Sequence, residues 1–107
     1  MFEIYQSDAN DKYHFRLKAT NGEIIFTGQG YNAKADCLNG IESVRENAPN
    51  EGNFEIWDAK DGRQYFVLKA ANGQIIGQSQ MYKSSSGLRN GLSSVQENCT
   101  AECVDLT

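Results

Sequence analysis

The chain of 107 residues has no apolar run approaching the roughly 20 residues of a membrane-spanning helix. Its start, Met1-Phe2-Glu3-Ile4-Tyr5-Gln6, has neither a basic n-region nor an apolar h-region, so no signal peptide is expected. There is one histidine, His14, and the three cysteines, Cys37, Cys99 and Cys103, are an odd number without a secretion signal. That usage points to a reducing compartment, and the expected location is cytoplasmic. Positive charge is short as well: ten Lys and Arg stand against 14 Asp and Glu, a formal net charge of −4. Duplex-DNA binders carry the opposite balance, so nucleic acid is disfavoured as a partner unless the basic residues gather on one face.

What is present is a repeat. Phe2-Glu3-Ile4-Tyr5 returns as Phe54-Glu55-Ile56-Trp57, and Leu17-Lys18-Ala19-Thr20-Asn21-Gly22 as Leu68-Lys69-Ala70-Ala71-Asn72-Gly73. Ile24-Ile25 returns as Ile75-Ile76, Tyr31 as Tyr82, and Asn39-Gly40-Ile41 as Asn90-Gly91-Leu92. Ser43-Val44 and Glu46-Asn47 return as Ser94-Val95 and Glu97-Asn98, with one single-residue shift in the loop after the first strand. Internal repetition at this period means a duplicated supersecondary unit. The length and the 39% hydrophobic content suit one folded domain, with residues 1–51 as the first repeat and 52–107 as the second.

Each unit opens with alternating apolar and polar residues, Phe2 to Ser7 or Phe54 to Ala59, as a half-buried strand requires. A turn rich in Asp, Asn and Gly follows, then a second strand, Lys12 to Ala19 or Arg63 to Ala70. In the first copy Tyr13, Phe15, Leu17 and Ala19 face one way, and Lys12, His14, Arg16 and Lys18 the other. Asn21-Gly22 and Asn72-Gly73 predict type I′ hairpin turns into third strands near Glu23–Gln29 and Gln74–Gln80. A helix follows, with Asn32 and Ser84 as N-caps and an apolar stripe of Cys37, Ile41, Val44 and Ala48, or Leu88, Leu92, Val95 and Cys99. Gly40 and Gly91 sit mid-helix, which predicts close backbone approach to the sheet or the sister helix. Pro49 ends the first helix, and residues 103–107 read as a last short strand.

The order strand, strand, Leu-Lys-Ala-x-Asn-Gly, strand, Tyr, then a helix with Asn-Gly-Ile/Leu-x-Ser-Val, resembles the YegP-like family of small bacterial proteins, over nearly the whole chain and in both copies. The resemblance implies an α+β fold of tandem β-β-β-α-β units sharing one antiparallel sheet, with two helices packed on one face and the terminal strands exchanged between repeats. It carries no catalytic residues to transfer. One departure is Pro49-Asn50-Glu51-Gly52-Asn53, poor strand material, so the first repeat's fourth strand is expected to be short or merged with Phe54 to Trp57. The cysteines do not recur: Cys37 aligns with Leu88, and Cys99 with Ala48.

Chemistry is sparse. Cys99-x-x-x-Cys103 with His14 is the best metal set available and falls short of a four-ligand site, so no metal or other cofactor is expected. His14 lies on the solvent side of its strand, while Cys37 belongs to a helix on the other, which leaves no cysteine–histidine pair. A redox role would rest on Cys99 and Cys103 alone. Glu3 and Glu55 recur, but each lies beside a strand of Lys or Arg, where cross-strand pairing is their ordinary use. Gly28-x-Gly30 is too short for a phosphate loop and is absent from the second copy. No catalytic residue, and no enzyme, is expected.

One surface stands out. If both helices cover one side of the sheet, the other side carries Tyr5, His14, Arg16 and Lys18 from the first repeat, and Trp57, Arg63, Tyr65 and Lys69 from the second. Ile25, Val67 and Ile76 are expected on the same side. Aromatic and basic side chains together suit a protein partner, since Trp, Tyr and Arg dominate interface hot spots. The same mixture can stack bases and neutralise phosphates, so single-stranded nucleic acid is the alternative. The duplication also predicts a monomer, because the exchange of strands is completed within the chain.

Overall fold

The computed structural model describes residues 1–107. The elements in chain order are β1 (Phe2–Gln6), β2 (Tyr13–Lys18), β3 (Ile24–Gly28), α1 (Lys34–Asn47), β4 (Phe54–Asp58), β5 (Gln64–Lys69), β6 (Ile75–Gln78), α2 (Ser85–Asn98) and β7 (Cys103–Asp105). All seven strands form one sheet in the order β4-β5-β6-β3-β2-β1-β7. The repeats therefore meet at β3 and β6, where Thr27 pairs with Gln78 and Gly28 with Gly77.

Both helices lie on one side, over a single core that includes Phe2, Ile4, Phe15, Leu17, Phe26, Phe54, Phe66 and Leu68 from the strands. Cys37, Ile41 and Val44 of α1 and Leu88, Leu92 and Val95 of α2 complete it. Each helix touches strands of both repeats: α1 packs on β2, β5 and β6, and α2 on β5, β3 and β2. Neither repeat can bury its own helix alone, so the duplicated units form one core.

The hairpin turns differ from the type I′ expectation. Gly22 and Gly73 have positive φ (85° and 84°), but Asn21 and Asn72 do not. Ala19 N–H donates to Glu23 C=O, and Gly22 N–H to Ala19 C=O, both at 2.9 Å, a three-residue loop closed by a left-handed glycine. The asparagine acts through its side chain, accepting from the Glu23 and Gln74 amides at 3.0 Å. Helix capping is also uneven. Ser84 caps α2, its Oγ accepting from Gly87 N–H at 3.1 Å, whereas the N-cap of α1 is Ala33, not Asn32, with no side-chain bond.

Both repeats carry a bulge at the β2–β3 and β5–β6 registers, between Leu17 and Lys18 and between Leu68 and Lys69. The extra residue breaks strict alternation, so Ile25 and Phe26 are both buried in the core, as is Ile76. Ile25 and Ile76 thus leave the outer face on which alternation had put them.

The sheet is antiparallel except at one edge: β7 runs parallel to β1, pairing Cys103 with Phe2 and Asp105 with Ile4. The helix explains this. Fourteen residues of α2 span ~21 Å, close to the ~19 Å of four strand spacings that separate β6 from β7. The chain crosses the core side and re-enters from the end at which β6 left. Lys34 Nζ to Asp105 (2.9 Å) and Arg45 Nη2 to Ala101 C=O (2.8 Å) fasten it.

The reciprocal exchange is absent. The counterpart of β7 in the first repeat is residues 52–54, and there the chain makes a 3₁₀ turn, Glu51–Asn53, leading straight into β4. A parallel neighbour needs a crossover connection of about a dozen residues, and none is available between that segment and Phe54. One edge of the sheet, β4, is left open.

Candidate binding face

The side of the sheet away from the helices is crossed by a transverse row fixed by strand register: Glu55, Val67, Gln78, Thr27, Arg16, Glu3 and Val104. Thr27 and Gln78 at its centre belong to the two repeats. On either side of them lies one cluster per repeat.

In the first cluster Arg16 Nε donates to Glu3 Oε1 at 2.7 Å, and Lys18 Nζ lies 3.2 Å from the same oxygen. The Arg16 guanidinium sits 4.6 Å above the Tyr5 ring, and Tyr5 stacks on His14 with centroids 5.5 Å apart. The hydrogen bond from Arg16 is the main reason the Glu3 carboxyl is held below its ordinary pKa. In the second cluster Lys69 Nζ pairs with Glu55 at 2.7 Å, and Trp57 Nε1–H donates to Glu55 at 3.1 Å. Trp57 meets Tyr65 edge to face with centroids 6.0 Å apart. Lys69 and then Trp57 lower the Glu55 pKa.

Arg63 stands apart from this arrangement. It lies in the β4–β5 turn, where its Nε pairs with Asp61 at 2.7 Å and its backbone N–H is the first cause of that carboxyl's lowered pKa. Val67 is 1% exposed despite its outer-face register, so it contributes no accessible surface.

The eight residues expected on this face do not converge on one point. Five successive antiparallel pairings make β4 run opposite to β1. Tyr5 and Trp57, each near the C-terminal end of its strand, therefore occupy diagonally opposite corners, on strands ~24 Å apart at five spacings. Electrostatically the face is nearly balanced. Glu55 neutralises Lys69, Asp61 neutralises Arg63, and Glu3 is shared by Arg16 and Lys18, so with the exposed Lys12 beside His14 two formal positive charges are left.

The thiols lie elsewhere. Cys37 and Cys99 are buried under the helices, and Cys103 is half-buried in β7. Burial pushes the Cys37 thiol up to about 11 and raises Cys99 and Cys103 as well, so all three are protonated at neutral pH. His14, stacked on Tyr5, is on the opposite side of the sheet from Cys37 and Cys99. No three His, Cys, Asp or Glu side chains gather to hold a metal.

The recurring polar residues serve a second feature that sequence reading did not assemble. Tyr31, Asn39, Gly40 and Ser43 of the first repeat face Ala70, Asn72 and Ile76 of the second across a groove of about 470 Å³. Tyr82, Asn90, Gly91 and Ser94 face Ala19, Asn21 and Ile25 across its counterpart, about 260 Å³. Each groove joins one repeat's helix to the other's hairpin. The signal available in the sequence was that these residues, unlike the cysteines, appear twice.

Fold and face together describe a duplicated α+β sheet protein with one aromatic cluster per repeat on its uncovered side and no buried thiol on the side of its one histidine. No helix is long and apolar enough to cross a membrane. Two segments, residues 8–55 and 59–105, match the family described as Domain of unknown function (DUF1508). Each match starts in the loop after the first strand of its repeat, so β1 lies outside both. A UPF0339 protein of Shewanella oneidensis is 49% identical over 107 residues, covering 99% of this chain and 96% of that protein. UPF0339 protein YegP of Escherichia coli K12 is 46% identical over 103 residues, covering 96% and 93%. The solution NMR structure of a Shewanella oneidensis UPF0339 protein superimposes with a TM-score of 0.92 at 48% identity, covering 99% of this chain and 90% of that one. That of yegP from E. coli, a protein of unknown function, gives 0.92 at 44%, covering 99% and 91%. The chain belongs to the UPF0339, YegP-like family.

Proposed function

We propose that this protein is a non-enzymatic interaction module that binds another protein through the uncovered face of its sheet. The observation that carries this reading is the pair of clusters, Tyr5 with His14 and Arg16, and Trp57 with Tyr65. Aromatic rings supply large contact area at low entropic cost, and with arginine they carry most of the binding energy at protein interfaces. Placement at two corners suits an extended partner that engages both. The module acts as a monomer in the cytoplasm, with its three thiols reduced.

Single-stranded nucleic acid is the competing reading, favoured by base-sized rings beside Arg16 and Lys18. The carboxylates that pair with most of the basic side chains weigh against it.

Two experiments decide between them. Quantitative affinity capture from cell extract, with wild type beside Tyr5→Ala and Trp57→Ala, is expected to yield a protein that both substitutions deplete. A captured set unchanged by either substitution overturns the reading. Short single-stranded RNA and DNA, titrated at low salt against labelled protein, are expected to leave the spectra unmoved. Shifts gathered on Tyr5, Arg16, Trp57, Tyr65 and Lys69, weakening steeply as salt rises, establish the nucleic-acid reading instead.

A further inference from the structure

Ile4 and Ile56 occupy the same place in the two repeats, facing the core from an outer strand. Ile4 pairs with Phe15 and is 1% exposed; Ile56 pairs with Phe66 and is 49% exposed. A visible difference lies at the outer edge, since β1 is flanked by β7 and β4 is flanked by nothing.

The backbone at that edge is unpaired. Phe66 points its backbone groups at β6, its C=O accepting from Ser79 N–H at 2.9 Å. Its neighbours Tyr65 and Val67 therefore bond to β4, through Trp57 and Glu55. That turns Ile56 and Asp58 outward. On β1 the same orientation serves β7: Phe2 N–H donates to Glu102 C=O, and Leu106 N–H to Ile4 C=O, both at 2.8 Å. One outward group of β4 is already used, since Phe54 N–H caps the 3₁₀ turn by donating to Glu51 C=O. The open rungs are the Phe54 carbonyl, both groups of Ile56, and the Asp58 amide.

We infer that the β4 edge is a docking site for an extended segment of another protein, which adds parallel to β4 as an eighth strand. The occupant's chemistry follows from the strand seated at the equivalent edge. In β7 a small side chain, Cys103, lies beside Phe2, an aliphatic one, Val104, beside Glu3, and an acid, Asp105, beside Ile4. The acid is held there by Lys34. At the corresponding start of α2 stands Ser85, which offers a hydroxyl where α1 offers the Lys34 ammonium. The segment that suits β4 therefore carries small, aliphatic and apolar residues in succession, the last covering Ile56. Strand addition of this kind takes its affinity from main-chain bonds and its specificity from alternate side chains.

The test uses the full protein and a synthetic peptide with the sequence of residues 100–107 carrying Cys103→Ala and Asp105→Val. Titration to 1 mM (roughly the weakest affinity expected of a useful site) is expected to move the amides of Phe54 to Asp58 in a saturable way. Ile56→Lys, at a half-exposed site that leaves the core intact, is expected to weaken binding at least tenfold. N-methylation of the peptide at the Leu106 amide, which bonds to Ile56 C=O in the proposed register, is expected to abolish it. Absence of saturable shifts overturns the inference, as do shifts on Phe2 to Gln6, which report exchange with the chain's own β7. Movement of the β4 amides on concentrating the protein alone, with sedimentation as a dimer, also overturns it, because the occupant is then a second copy. Insensitivity to Tyr5→Ala, on a strand five spacings from β4, separates this edge from the open face.

Discussion

Tyr82 lies against Gly91 so closely that a Cβ on Gly91 would sit 2.6 Å from the Tyr82 Cζ. Tyr31 holds the same relation to Gly40 in α1. The close approach predicted for these glycines is therefore made to a tyrosine of the same repeat, which in turn stacks on Phe66 or Phe15 of the sheet. An alanine in mid-helix is ordinarily worth about 1 kcal/mol over glycine. Here it forces Tyr82 or the helix to move, at a typical overpacking cost of ~1–3 kcal/mol. Gly91→Ala is expected to lower stability in urea denaturation. In a Tyr82→Ala background the same substitution is expected to raise it by about 1 kcal/mol. A destabilising effect of equal size in both backgrounds would mean that Tyr82 is not the obstacle.

Truncating the two equivalent isoleucines should give unequal results. Ile4→Ala removes a fully buried side chain and is expected to cost ~2–4 kcal/mol. Ile56→Ala, at the open edge, is expected to cost less than about 1 kcal/mol. The comparison is made by urea midpoints, and equal costs would contradict the one-sided strand exchange.

Acid should loosen β7. The Thr107 hydroxyl, then Lys34, hold the Asp105 carboxyl down to about 2, from an ordinary 3.8. A folded-state pKa below the unfolded one stabilises above the unfolded value and loses that contribution as pH falls through the folded value. Stability of the β7 edge is thus expected to decline from about pH 4 toward pH 2. Amide exchange at Leu106, bonded to Ile4 C=O, is the reporter. Asp105→Asn is expected to flatten that part of the profile.

The three thiols should react in order of access. Cys103, half-buried in an edge strand, is expected to label first with a disulfide reagent at neutral pH, slowly because its thiol is raised. Cys37, pushed up to about 11, and Cys99 are expected to label only on unfolding. Mass spectrometry of labelled peptides against time checks the order. Rapid labelling of Cys37 in the native protein would contradict the burial.

Much of this protein is written in the sequence because its signals are local. Alternation in Phe15-Arg16-Leu17 marks β2, and the stripe from Leu88 through Leu92 to Val95 marks α2. The doubled motif placed both units in one family and one fold. A strand's period of two also assigned sides without knowledge of its neighbours, which holds for Glu3 and Arg16 and for Glu55 and Val67 in register, but not for Ile25 and Ile76, which lie in the core.

What tertiary structure decided are relations between distant segments. Register carries no local signal, so the bulges that bury Ile25 and Ile76 were invisible to alternation. The antiparallel course of β4 relative to β1, which sends Tyr5 and Trp57 to opposite corners, arises from the order in which six strands pair. Most of all, nearly identical strands, Phe2-Glu3-Ile4-Tyr5 and Phe54-Glu55-Ile56-Trp57, have different fates. One is covered because α2 is long enough to carry the chain across to it. The other is bare because the chain after α1 has no length left to lie beside β4 before becoming it.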